Sequence, residues 1–177
     1  VKVQMAFASI IFAVSAAFTA LNKAANIENM VKGLDQLGAA SGKNLGTLAK
    51  SLVEVSDGAL SLADSMTAVA QASAGGMSAQ NIVRMTEIAK KASQALGRDL
   101  PDALNRLTRG ITKIEPELLD ELGIMVKVDE ASRMYAQSLG KSASALTDFE
   151  KRQGYANAVL AEGERKFGAI NLDANPY

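Results

Sequence analysis

The sequence predicts an all-α protein: an extended, coiled-coil-like N-terminal half, then a small helical C-terminal region with one short extended segment. Three observations carry this. Apolar residues make up 48% of the 177-residue chain but aromatics only 5%, so Ala and other small helix formers supply the apolar content. That composition favours helices packed closely on helices over a sheet or a deep ligand pocket. Apolar positions recur three and four residues apart over long stretches. Helix-end residues, a polar cap before and a glycine after, punctuate the second half.

Charge divides the chain. Residues 1–81 hold ten charged side chains and residues 82–177 hold 28. The clearest breaker pair, Gly75-Gly76, places a boundary between an uncharged Ala-rich segment, 1–75, and a small helical domain, 76–177. Lysine plus arginine equals aspartate plus glutamate, 19 each. No charge excess therefore points to nucleic acid, and no sequence-specific nucleic-acid partner is expected. The chain has neither Cys nor His. Disulfides, thiolate chemistry and the commonest zinc ligand and general base are excluded.

The chain opens at Val1, as expected of a processed or truncated piece. Val3 to Leu21 is 19 residues without a charge, near the roughly 20 needed to cross a bilayer. A signal segment, a membrane helix and a helix buried among protein helices all fit it, the last best. Phe7, Ile10, Ile11, Phe12, Val14, Phe18 and Leu21 are its candidate membrane or buried residues. Ile27, Met30, Leu34 and Leu37 continue a helical stripe. Gly38, Gly42 and Gly46 would share one face of a continuous helix, but GAASGKNLG reads better as a loop.

The strongest pattern follows. Leu45, Leu48, Leu52, Val55, Ala59, Leu62, Met66 and Val69 are spaced 3, 4, 3, 4, 3, 4, 3. This is an a/d seam of a left-handed coiled coil. Its flanks, Ala49, Ser51, Ser56, Gly58, Ala63, Ser65, Ala70 and Ala72, are small and uncharged, which suits a tight bundle of several strands. An amphipathic helix in a monomeric bundle has the same pattern.

Beyond the glycine pair, Ser78 is expected to cap a helix that Gly97 ends, and Asp99 one carrying Leu100, Leu104, Leu107, Ile111 and Ile114 inward. Pro116 opens a short helix stopping at Gly123. Residues 124–128 form the extended segment. Asp129 caps the next helix, and Thr147 with Glu150 forms a capping box for a last helix ending near Gly168. Gly110 and Gly123 read as helix punctuation. Glu115, Glu117, Asp120 and Glu121 are acids in the first turns of a helix, where the dipole favours them. Arg106, Arg109 and Lys113 share a solvated face. No catalytic, cofactor-binding or metal-ligating set is expected, so the chain reads as a non-enzyme needing no cofactor.

Leu96 to Gly168 resembles bacteriophage tail tape measure proteins. The resemblance lies in three blocks in order: LTRGITKIEPELLDELGI, VDEASRMYAQSLGK and LTDFEKRQGYANAVLAEGERKFG. It implies a structural virion component, in the tail lumen or tail tip, that sets tail length and leaves ahead of the DNA. It also implies self-association as a trimer or hexamer, contact with tail tube and baseplate or tip proteins, and contact with the host inner membrane on ejection. As one unbroken helix, 177 residues would span at most roughly 270 Å, so the chain is expected to be one segment of such a ruler. A membrane-inserting or pore-forming helical protein is the alternative, resting on Val3 to Leu21. A cell-wall hydrolase using a carboxylate pair is a third reading.

Overall fold

The computed structural model describes residues 27–39 and 44–170. Among them every regular element is helical: α1 (Ile27–Ala39), α2 (Leu45–Val55), α3 (Leu62–Ala74), α4 (Ala79–Leu96), α5 (Leu100–Thr112), α6 (Pro116–Asp120), α7 (Val128–Ser138) and α8 (Asp148–Phe167). A 3₁₀ turn, Ala143–Ala145, precedes α8.

Several helix ends form as local chemistry demands. The Ser78 side chain accepts from the Asn81 N–H to open α4, which closes on left-handed Gly97. Pro116 is the first residue of α6. Thr147 and Glu150 complete a reciprocal capping box on α8, with bonds of 3.0 and 3.1 Å. Three ends differ from expectation. Asp99 stands before α5, but its side chain makes no cap hydrogen bond. Lys127, not Asp129, is the cap residue of α7, so the helix starts at Val128 and Asp129 lies in its first turn. Ile114 is outside α5 with φ 54, and the Glu115 N–H returns to the Gly110 carbonyl. That is a Schellman end with isoleucine where glycine is usual, and Ile114 is held by packing on the core. Residues 124–127 are a non-helical connector, anchored by fully buried Ile124.

The continuous seam from Leu45 to Val69 does not form. The helix stops at Val55 and restarts at Leu62, and α2 and α3 pack on one another. Asp57 (φ 54) and Gly58 (φ 78) are both left-handed, and the Gly58 N–H closes back on the Val53 carbonyl. The Leu60 N–H donates to the Ser56 hydroxyl, and Leu60 is buried at 1% exposure. Lys90, from α4, donates to the Val55 carbonyl at 3.2 Å and pairs with Asp57, so a distant side chain seals the end of α2. Heptad spacing does not report these tertiary contacts.

One apolar core runs from Val31 in α1 to Phe167 in α8. Gly75 ends α3 and Gly76 (φ 87) turns the chain, so the glycine pair separates two helices and not two cores. Asp35 of α1 caps α2: its carboxylate accepts from the Gly46 and Thr47 N–H groups at 2.7 and 3.3 Å. A Cβ on Gly46 would lie 2.6 Å from the Val31 carbonyl oxygen, so glycine permits this close crossing. Asn44 is not helical, which separates Gly46 from the helix bearing Gly38.

Candidate functional site

The seam residues face inward within this one chain. Leu45, Leu52, Met66 and Val69 are buried in the shared core, and Leu48 and Leu62 pack against it half-buried. Val55 is half-buried, and Ala59, at the turn, is exposed. The apolar stripe therefore serves the interior of a compact body, because folding back at 56–61 lets α2 and α3 bury it against α1, α4 and α5. The candidate membrane residues Phe7, Ile10, Ile11, Phe12, Val14, Phe18 and Leu21 lie outside the described residues. Among the described residues no helix is long and apolar enough to cross a membrane.

Two acids of the expected cluster, Glu115 and Glu121, form ion pairs with arginines, and Asp102 joins them in one circuit. Asp102 accepts from Arg98 at 2.9 Å and from Arg106 at 3.0 Å. Glu121 pairs with Arg106 at 2.6 Å and approaches Arg98 at 3.9 Å. Glu115 pairs with Arg109 at 3.5 Å. The Arg98 guanidinium, with Arg106 beside it, holds the Asp102 carboxyl below its ordinary value despite some desolvation. Each acid of this circuit faces an arginine, whereas acid–base catalysis by two carboxylates needs one of them kept protonated. Among the described residues no group of three or more acidic side chains could hold a metal ion.

A groove lies between α3 and α5. The two helices run side by side in the same direction: Asp64 faces Pro101, and Gly75 faces Thr112. Two adjoining hollows, about 330 and 540 Å³, share Gln71 and Asn105. Asp64 and Asp102 mark one end; Arg109 and Lys113 mark the other. The groove is open, with polar and apolar lining mixed, and it brings no nucleophile beside a base.

Sequence reasoning missed the groups that bind elements to one another. Gly110 is not punctuation: it sits within α5, and a Cβ there would lie 2.6 Å from Leu119 of α6. Gly154 lets Tyr135 lie on α8, and Gly163 does the same for Ile88. Arg84 of α4 pairs with Glu164 of α8, and Lys166 donates to the Gly123 carbonyl at 2.8 Å. A glycine inside a helix was the available signal, though not its partner. Tyr155 is 1% exposed and its hydroxyl has no partner. Burial, with Asp120 and Glu117 nearby, pushes its pKa up to about 12.

No family model matches the chain, and no solved structure matches it.

Proposed function

We propose that this chain is a segment of a bacteriophage tail tape measure protein, and that residues 27–170 are a non-catalytic packing module within it. The observation that carries the reading is where the three resembling blocks lie and what their residues do. They span residues 107–124, 128–141 and 146–168, which are the second half of α5 with α6, then α7, then α8. Three of their positions close these helices on each other: Gly110 under Leu119, Gly154 under Tyr135, and Lys166 on Gly123; Gly163 instead admits Ile88 of α4. The resemblance thus falls on residues that build a fold, as expected of a structural virion protein. Self-association, tail tube and tip partners, and the virion location come with the resemblance. A strand-like bundle through the 45–69 seam requires a state other than the compact one.

The test is made on tails. Peptides of this chain should be found in purified tails of a phage that encodes it. Excising the codons for residues 27–170 in frame should shorten the tail by far less than the roughly 1.5 Å per residue of an unbroken helix. Absence of these peptides from purified tails overturns the reading.

A further inference from the structure

One peptide link in the turn between α2 and α3 is open to a reaction that needs no enzyme. Where glycine follows aspartate, the glycine amide nitrogen has no side chain to shield it and can attack the neighbouring carboxyl carbon. Asp57 is the one aspartate or asparagine of the chain that glycine follows. It lies outside any helix, and its side chain is 80% exposed. Gly58 is exposed too, and nothing stands within 4 Å of the place a Cβ would take. The turn therefore leaves room for a ring and for the water that opens it.

Two contacts restrain the reaction, and ring closure must break both. The Gly58 N–H donates to the Val53 carbonyl at 2.9 Å, which occupies the attacking nitrogen. The Asp57 carboxylate is held in an ion pair by Lys90 of α4. That lysine is only 17% exposed and is anchored on the Val55 carbonyl, so it stays beside the carboxylate. It belongs to neither reacting residue, and its restraint is separable from theirs.

We propose that Asp57-Gly58 is a site of spontaneous isomerisation to isoaspartate, and that Lys90 holds its rate down. A bond forms between the Gly58 nitrogen and Asp57 Cγ. The amide hydrogen and the hydroxyl of the protonated carboxyl leave as water, giving a succinimide. A water molecule then adds to either ring carbonyl. Opening at Cγ restores aspartate. Opening at the former main-chain carbonyl frees the α-carboxyl and runs the chain through Cβ and Cγ, one methylene longer. Nothing is oxidised or reduced. The added methylene falls inside the loops closed by Gly58 N–H on Val53 and by Leu60 N–H on the Ser56 hydroxyl. Isomerisation therefore loosens the joint that stops α2 and starts α3.

The test is prolonged incubation of the full 177-residue chain at neutral pH and body temperature. Isoaspartate is counted by enzymatic methylation of its free α-carboxyl and located by fragmentation mass spectrometry. It should accumulate at position 57 and not at Asp64, which serine follows inside α3. Lys90→Met should quicken accumulation about two- to fivefold, the range an exposed ion pair supports. Lys90→Arg keeps the charge and should stay near the parental rate. Asp57→Glu, whose ring closes far more slowly, should abolish the signal there. Should Lys90→Met lose its helical circular dichroism, high salt supplies the second reading. It screens the ion pair, so it should quicken the folded parent and leave the urea-unfolded chain unchanged. No isoaspartate at 57 in the folded parent, by the time the unfolded chain has converted, overturns the site. Equal rates in the parent and a folded Lys90→Met chain overturn the role of Lys90, as does an unfolded variant with a salt-insensitive parent.

Discussion

Gly33 and Gly110 both lie inside helices, and the same change to alanine should act in opposite directions. At Gly33, in α1, a Cβ meets nothing within 4 Å. Alanine there removes unfolded-chain freedom and should stabilise by about 0.5–1 kcal/mol. At Gly110 the new methyl would press on Leu119 at 2.6 Å, and Leu119 is fully buried with nowhere to move. Overpacking of that kind costs about 1–3 kcal/mol. Urea midpoints at constant slope should move up for Gly33→Ala and down for Gly110→Ala; two shifts of the same sign would refute the packing assigned to Gly110. Both glycines look alike in the sequence. Gly110 differs only because Leu119 returns over it after the Pro116 turn, and single-residue propensities carry no record of that return.

At the scale of the element, several helix ends with local caps were legible, but the local Ser61 cap of α3 was hidden under the seam. Ser78, Gly97, Pro116 and the Thr147–Glu150 pair act within a few residues of themselves, so their spacing alone announces them. Caps supplied from elsewhere were not legible. Asp35 serves a helix eleven residues away, and Lys90 seals one 35 residues away. The seam was misread because a lysine on α4 and a leucine beside the turn stop α2, and the Ser61 cap that starts α3 falls between two seam positions. The local and remote caps make a paired prediction. Thr147→Ala and Asp35→Ala should each cost about 1 kcal/mol. Amide exchange should rise at Glu150 in the first variant, and at Gly46 and Thr47 in the second. Exchange at Gly46 unchanged by Asp35→Ala would mean that the remote carboxylate does not cap α2. The groove between α3 and α5 had no sequence signal either, because its two walls lie some 37 residues apart in the chain, at Asp64 and Pro101.

Across the whole molecule the charges set a pH profile with a flat centre and two sloping limbs. On the acid side, three carboxyls are held below their ordinary values. Asp102 is held first by its hydrogen bond from Arg98, Glu150 by the Thr147 backbone, and Glu162 by Arg165. A carboxyl depressed by folding adds stability above its unfolded pKa, here 3.8 to 4.5, and loses it as pH falls below that range. On the alkaline side the sign reverses. Tyr155 ionises near 10 when unfolded but only at about 12 when folded, so the unfolded chain binds fewer protons between those values and stability falls as pH rises through them. Between the limbs the chain has no His and no Cys to titrate. The thermal midpoint should therefore be level from about pH 5.5 to 9 and fall on either side. Asp102→Asn should make the acid limb shallower and leave the alkaline one unchanged. Tyr155→Phe should do the reverse, and near pH 7 it should be neutral or stabilising by up to about 1 kcal/mol, since it removes a buried hydroxyl with no partner. An alkaline limb of unchanged slope in Tyr155→Phe would show that the hydroxyl is not desolvated in the folded chain, and would refute its burial in the core.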